Sequence, residues 1–239
     1  MTMKAIILAA GRGRRMLPTT KNLPKCLLPV GGKTILEYQL ELLRENGISR
    51  VIIVVGFAAK KVEKIAGNQV TYIYNEHYLS TNSLYSLSLA KNHLDSDLLL
   101  LNSDVLYDRE IIRALIEEKS FNAIAVDFAK PLIDGEMNVR VSDGYVVEIS
   151  KDISAEDADG LSTQLAKFGG ESIVDFRNEI IRLIDNHHLN KFPTDAYKPI
   201  IENYGLKAVD IKDMAWAEVD TFEDYKYVCE NFCKEFSNS

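Results

Sequence analysis

Two glycines and three arginines fall together directly after an apolar run, in Leu8-Ala9-Ala10-Gly11-Arg12-Gly13-Arg14-Arg15-Met16. Glycines let main-chain N–H groups approach a phosphate, and guanidinium groups supply its counter-charge. The bland alternative is a tight turn with solvated arginines. Three cations within four positions of an acidic chain weigh against it. A second set is a pair of aspartates far apart in sequence. Asp104 closes the apolar run 98–101, and Asp220 lies in Trp216-Ala217-Glu218-Val219-Asp220-Thr221. Carboxylates at strand ends suit Mg²⁺, which takes one or two of them plus phosphate oxygens. A turn residue for Asp104 and a helix cap for Asp220 are the structural alternatives.

Two common nucleotide motifs fail on these residues. A dinucleotide fingerprint needs a helix opening at its third glycine and an acidic residue after the second strand. Position 16 is Met, and the second strand runs into Val55-Gly56-Phe57. Gly32-Lys33-Thr34 imitates the end of a phosphate-binding P-loop, but the required earlier glycine is replaced by Leu27.

The stretch instead resembles the nucleotidyltransferase family that joins NTPs to phosphorylated sugars and alcohols. That family opens with a strand, L-A-A-G-x-G-x-R, a Pro-Thr region and a Pro-Lys pair. Here these are Leu8, Ala9, Ala10, Gly11, Gly13, Arg15, Pro18, Thr20, Pro24 and Lys25. The resemblance implies that Leu8, Ala9, Ala10, Gly11, Arg12 and Gly13 bind the nucleotide, with the loop backbone wrapping it. Arg15 and Lys25 would be catalytic, neutralising phosphate charge as pyrophosphate departs. It also implies a nucleotide-binding Ser103 with one metal-binding Asp beside it after the fourth strand, and a second in a W-x-E-[IV]-D-[ST] segment. Asp104 and Asp220 match, so Mg²⁺ is the expected cofactor and the similarity runs through most of the chain.

A third segment narrows the subgroup. Sugar-1-phosphate members carry Q-x-x-x-x-x-G-T-A after the third strand, and this sequence lacks it. Asn75-Glu76-His77-Tyr78-Leu79-Ser80-Thr81-Asn82-Ser83-Leu84-Tyr85-Ser86-Leu87 stands in its place. That spacing resembles phosphocholine cytidylyltransferases and relatives acting on aminoethylphosphonate or inositol phosphate. It implies Asn82 and Ser83 near the nucleotide and Tyr78 near the acceptor, although core packing suits Tyr78 and Tyr85 equally. A lysine after the second hairpin strand binds acceptor phosphate in the family, which here is Lys151; alone it would read as a solvated surface lysine. Glu171, Asp195, Trp216 and Glu218 could line an acceptor pocket, since acidic and aromatic groups suit a cationic acceptor. Each serves a structural role as readily. In 160–168 the family's G-E-x-I-G-x-x-K-F is met loosely, with Leu161 and Gln164 replacing Glu and the second Gly.

These residues need a scaffold, and the patterning predicts one. Apolar runs at 5–10, 51–55 and 98–101 read as buried strands, and 70–74 as a further strand. They alternate with helices at 35–46, 58–66, 82–94 and from Asp108, the first opened by a Thr34/Glu37 capping box and closed by Gly47. Alternation of this kind means a doubly wound, mostly parallel α/β sheet of Rossmann-like type. Its sites lie beyond the strand C-termini, where Gly11, Gly56, Asn75 and Asp104 fall. The second half adds a hairpin turning at Asp143-Gly144, a helix over 173–184, a strand over 206–211 and a final helix after Thr221. That helix carries Phe222, Tyr225, Cys229, Phe232 and Phe236 in register. No Pro-, Gly- or Ser-rich linker interrupts the chain, so residues 1–239 read as one domain. Residues 1–128 would be its nucleotide-binding half and 129–239 its acceptor-binding half.

With 28 Lys and Arg against 35 Asp and Glu, the net charge of −7 argues against a general nucleic-acid or membrane-surface protein. Three cysteines without a secretory leader read as reduced and cytoplasmic. No apolar run approaches the roughly 18 residues of a membrane span. The expected activity is transfer of CMP from CTP to a small phosphorylated or phosphonylated alcohol, with a homodimer as the family-level assembly. A sugar-1-phosphate uridylyl- or thymidylyltransferase and a non-catalytic nucleotide-binding module are the alternatives.

Overall fold

Successive residues of β1 (Lys4–Ala9) face opposite layers, and both layers are apolar. The structure is a computed structural model describing residues 3–235. After β1 come a short hairpin of β2 (Pro29–Val30) and β3 (Lys33–Thr34), then α1 (Ile35–Glu45), β4 (Arg50–Val55), α2 (Ala59–Ala66) and β5 (Thr71–Tyr74). Next are α3 (Ser83–Leu89), β6 (Leu98–Asn102), β7 (Val105–Tyr107), α4 (Arg109–Glu117) and β8 (Ala123–Asp127). The second half holds β9 (Asn138–Ser142), β10 (Tyr145–Ser150), β11 (Gly160–Phe168), α5 (Ser172–Asp185), α6 (Lys198–Asn203), β12 (Leu206–Asp210), β13 (Trp216–Glu218) and α7 (Phe222–Glu235).

Nine strands form one sheet in the order β5-β4-β1-β6-β11-β8-β12-β10-β9. The first four are mutually parallel, as the alternation of strands and helices predicts. β8 and β12 form a further parallel pair, while β11 inserts antiparallel between β6 and β8. β10 and β9 finish the edge antiparallel, so the parallel order is concentrated in the first half. Ile6, Ile52 and Leu100 pack toward α3, α5 and α6 through Leu84, Phe176 and Ile200. Ile7, Ile53 and Leu101 pack toward α1, α2 and α4 through Leu36, Val62 and Ile111. The chain leaves β1 on one side to form β4 and returns on the other to form β6, which opens a crevice beyond their C-termini.

Local punctuation follows the sequence closely. Thr34 Oγ1 accepts from the Glu37 N–H at 3.2 Å, and the Glu37 carboxylate accepts from the Thr34 N–H at 2.7 Å. Asp143 and Gly144 take φ of 52° and 78°, the left-handed pair that a two-residue hairpin turn requires. Some elements depart from expectation. The helix predicted over 82–94 stops at Leu89, and a tighter turn at Lys91–His93 carries Leu94 into the core instead. Phe222 is exposed, because the apolar face of α7 begins at Tyr225 and continues through Val228 and Phe232. Phe236 and the side chain of Cys233 lie outside the described residues.

Candidate active site

A cavity of about 350 Å³ opens at the C-termini of β1 and β6. Its floor is the loop from Leu8 to Gly13, held in place by neighbouring main chain. The Phe57 N–H donates to the Ala10 carbonyl at 3.0 Å, and the Ser103 N–H to the Leu8 carbonyl at 3.2 Å. Gly56 permits this closeness, since a Cβ there would stand 2.8 Å from the Ala10 oxygen and 2.9 Å from Tyr78 Cβ. Gly13 has φ +64°, and a Cβ would meet Lys25 Cγ at 2.8 Å. Glycine at 13 therefore leaves the channel through which the Lys25 stem runs.

Lys25 starts a single 3₁₀ turn, Lys25–Leu27, whose other side chains are buried. Its ammonium lies 3.2 Å from Asp104 Oδ2 and also pairs with Asp220. Burial works against that charge, but the two carboxylates outweigh it and hold the Lys25 pKa above its ordinary value. Arg15 Nη2 stands 2.6 Å from the other Asp220 oxygen. Burial also opposes the Asp220 charge, yet Lys25 and then Arg15 keep its carboxyl below the usual range. Cys26, buried beside Asp104, is pushed up to about 12 and is an unreactive thiol at neutral pH.

The two aspartates converge because the strands next to them, β7 just after Asp104 and β13 just before Asp220, are stitched together. β7 pairs antiparallel with β13, and the Val219 N–H donates to the Asp104 carbonyl at 2.9 Å. Gln39, fully buried on α1, locks the turn carrying Asp104 by donating to the carbonyls of Asn102 and Val105 at 2.7 Å each. Asp220 does not cap α7. Thr221 and Asp224 do so reciprocally, with the Thr221 N–H donating to Asp224 at 2.7 Å, which frees the Asp220 carboxylate for the cavity. Glu218 joins them, and oxygens of the three carboxylates lie within 4.8 Å of one another. Burial, then the charges of Asp104 and Asp220, push the Glu218 carboxyl up to about 8.

The opposite wall comes from the segment after β5. Asn75 is buried and its amide donates to Ser86 Oγ at 3.0 Å and Thr81 Oγ1 at 3.2 Å, drawing that segment into a compact loop. Asn82 caps α3 by accepting from the Ser83 N–H at 2.8 Å. Its own N–H donates to the Leu189 carbonyl at 2.9 Å, and the Leu84 N–H to that of Lys191 at 3.1 Å. This pairing brings Phe192 to the cavity, where the Lys151 ammonium stands 5.6 Å from its ring centre.

Most residues singled out from the sequence meet here. Leu8, Ala9, Ala10, Gly11, Gly13, Arg15, Lys25 and Tyr78 line the cavity. Asn82, Ser83, Ser103, Asp104, Lys151, Glu218 and Asp220 complete that set. Four are placed elsewhere. Arg12 turns from the cavity, its guanidinium 5.5 Å from the Phe57 ring centre. Glu171 is exposed just before α5. Asp195 accepts from the Phe192 N–H at 2.8 Å and pairs with Lys191 at 2.9 Å, so it organises a turn. Trp216 anchors β13 from behind: its indole N–H donates to Asp127 at 2.6 Å, and the Lys130 ammonium lies 3.8 Å from its ring centre. Phe192 and Gln164 enter the cavity without being singled out as site residues; Gln164 stood out only as a departure from the family pattern.

The donor set fits a hard divalent cation. All three nearby groups are carboxylates, with a lysine already balancing part of their charge, and Mg²⁺ prefers such oxygen ligands beside phosphate. Asp104, Asp220 and Glu218 are the residues that would hold it. No described helix is long and apolar enough to cross a membrane.

Residues 5–138 match the MobA-like NTP transferase domain. A CTP:phosphoglutamine cytidylyltransferase from Campylobacter jejuni is 31% identical, over 93% of this chain and 97% of that protein. A choline-phosphate cytidylyltransferase from Streptococcus pneumoniae is 28% identical, over 94% of this chain and 96% of that protein. Among solved structures, a CTP:phosphocholine cytidylyltransferase from Streptococcus pneumoniae shares the fold with a TM-score of 0.79 at 23% identity, covering 97% of this chain and 100% of the other. A domain match over more than half of the chain, and a full-length relative of this similarity, carry one conclusion: the chain belongs to the MobA-like NTP transferase family of nucleotidyltransferases.

Proposed function

We propose that the protein is a cytidylyltransferase that moves CMP from CTP to a small molecule bearing a terminal phosphate or phosphonate, releasing pyrophosphate. The observation that carries this reading is the convergence of Arg15, Lys25 and Lys151 with Asp104, Glu218 and Asp220 in one cavity at the strand ends. Cations would neutralise phosphate oxygens, and the carboxylates would hold Mg²⁺. The choice of CTP rests on the Asn75 to Leu87 segment, which replaces the sugar-phosphate pattern, and on the names of the full-length relatives.

In the proposed reaction an acceptor oxygen attacks the α-phosphorus in line. A bond forms to that oxygen while the bond to the bridging oxygen of pyrophosphate breaks and its electrons leave with pyrophosphate. No protein base is required, because a phosphate or phosphonate oxygen is already ionised at neutral pH. Lys25, kept charged by Asp104 and Asp220, and Arg15 stand where they can meet the charge that grows on the leaving group. Lys151, beside Phe192, would orient the attacking group. Mg²⁺ bound to the carboxylates would supply further charge neutralisation on the phosphates. Positioning and electrostatics carry the rate, as in phosphoryl transfer generally.

The test is pyrophosphate release with Mg²⁺, crossing CTP, UTP, ATP, GTP and dTTP against phosphocholine, 2-aminoethylphosphonate, inositol 1-phosphate, glycerol 3-phosphate, phosphoglutamine and glucose 1-phosphate. The expected outcome is turnover with CTP and an acceptor other than a sugar phosphate. Turnover confined to UTP or dTTP with glucose 1-phosphate contradicts the reading.

A further inference from the structure

Gln164 sits in the middle of β11 with φ of +62°, a left-handed backbone that costs a residue with a side chain free energy. The pairing of β11 with β8 slips there: Ser162 faces Val126 and Ala166 faces Ile124, so three residues oppose one. The bulge is supported from both sides. The Gln164 N–H donates to Ser162 Oγ at 3.0 Å, and the Tyr107 hydroxyl donates to the Thr163 carbonyl at 3.1 Å. Bulges of this type re-aim a side chain. Here the re-aimed amide enters the cavity and bridges two of its lining residues. Gln164 Oε1 accepts from Asn102 Nδ2 at 2.5 Å, and Gln164 Nε2 donates to Glu218 Oε2 at 2.6 Å.

Those two partners belong to the two segments that carry the acidic cluster. Asn102 ends β6, two residues before Asp104, and Glu218 ends β13, two residues before Asp220. Glycine would accept this left-handed backbone without strain. A glutamine held there against that preference, with both ends of its amide paired, is doing something glycine cannot. We infer that Gln164 is a positioning residue that fixes the spacing of the carboxylate cluster and thereby its hold on a divalent cation. The inference rests on the transferase reading only for the reason a cation is needed there.

Gln164→Gly and Gln164→Met separate this role from a structural one. Glycine relieves the backbone and methionine keeps the side-chain volume, while both remove the amide. Mn²⁺, followed by electron paramagnetic resonance, reports cation binding without nucleotide or acceptor. The expected result is Mn²⁺ binding weakened at least ~10-fold in both variants, the usual scale for losing a group that orients a metal ligand. The Gly variant should still unfold within about 4 °C of the wild type, because a lost contact and relieved strain offset each other. Unchanged Mn²⁺ affinity in the Gly variant overturns the inference, as does a wild type that binds no Mn²⁺. Because the titration needs no turnover, an enzyme that fails every NTP and acceptor pair would sink the cytidylyltransferase reading while leaving this result standing.

Discussion

Replacing Gly13 by alanine tests whether the glycine loop acts through Lys25. The new Cβ would stand 2.8 Å from Lys25 Cγ, whereas carbons settle at roughly 3.5–4.0 Å, so the stem must move by roughly 1 Å. That atom lies near the root of the side chain, so the shift is passed on to the ammonium between Asp104 and Asp220. Misplacing a catalytic group by ~1 Å can cost ~100-fold in rate. The left-handed backbone adds about 1–2 kcal/mol of instability for alanine. In a chain of this size that lowers the melting temperature by roughly 2–8 °C. Lys25→Ala removes the charge itself and should cost at least ~100-fold in kcat. The decisive assay is the double variant. If Gly13 matters because of Lys25, adding Gly13→Ala to Lys25→Ala changes kcat by less than about 2-fold, a strong non-additivity. Independent, multiplying losses would refute the coupling and leave Gly13 a backbone residue only.

Asp104→Asn should abolish turnover while the far-ultraviolet circular dichroism spectrum and melting temperature stay near wild type; near-normal activity removes Asp104 from the metal site. Thr34→Ala breaks the reciprocal cap of α1 and should cost about 1 kcal/mol of stability with kcat unchanged, read by denaturant unfolding and steady-state assay. Burial and its acidic neighbours hold Glu218 up at about 8 against an ordinary 4.5, so the native state keeps a proton that the unfolded chain has released between those values. Stability in EDTA should therefore fall as pH rises from about 5 to 8, and Glu218→Gln should flatten that slope in thermal unfolding. Asp220, held low chiefly by Lys25 against its burial, contributes stability that is lost only at lower pH, as its native carboxyl takes up a proton.

The parallel half of the fold was legible because β1, β4 and β6 are buried on both faces and α1 and α4 carry their own caps at Thr34 and Asp108. β11 has no clear strand signature, since Gly160–Phe168 carries a bulge and lacks clean alternation, yet it is the strand that joins the two halves of the sheet. The glycine loop was readable from type and spacing, whereas Lys25 and the metal role of the two aspartates rest on the resemblance to the nucleotidyltransferase family. What they do to one another was not readable, because Lys25 meets Asp220 across 195 residues of sequence. The acceptor side fared worse. Glu171, Asp195 and Trp216 have suitable chemistry, but their partners, such as Lys191 and Asp127, commit the last two to structure. Phe192 arrives only because 82–84 pairs with 189–191, a contact with no local sequence signature.

Phosphorus NMR of the protein with CTP, Mg²⁺ and each acceptor follows the proposed CMP transfer bond by bond. The expected result is a new pair of coupled resonances from a CMP-linked product, formed in step with pyrophosphate and absent with EDTA or with Asp104→Asn. Release of inorganic phosphate from CTP, or nucleotide turnover that persists without the Asp104 carboxylate, would contradict it.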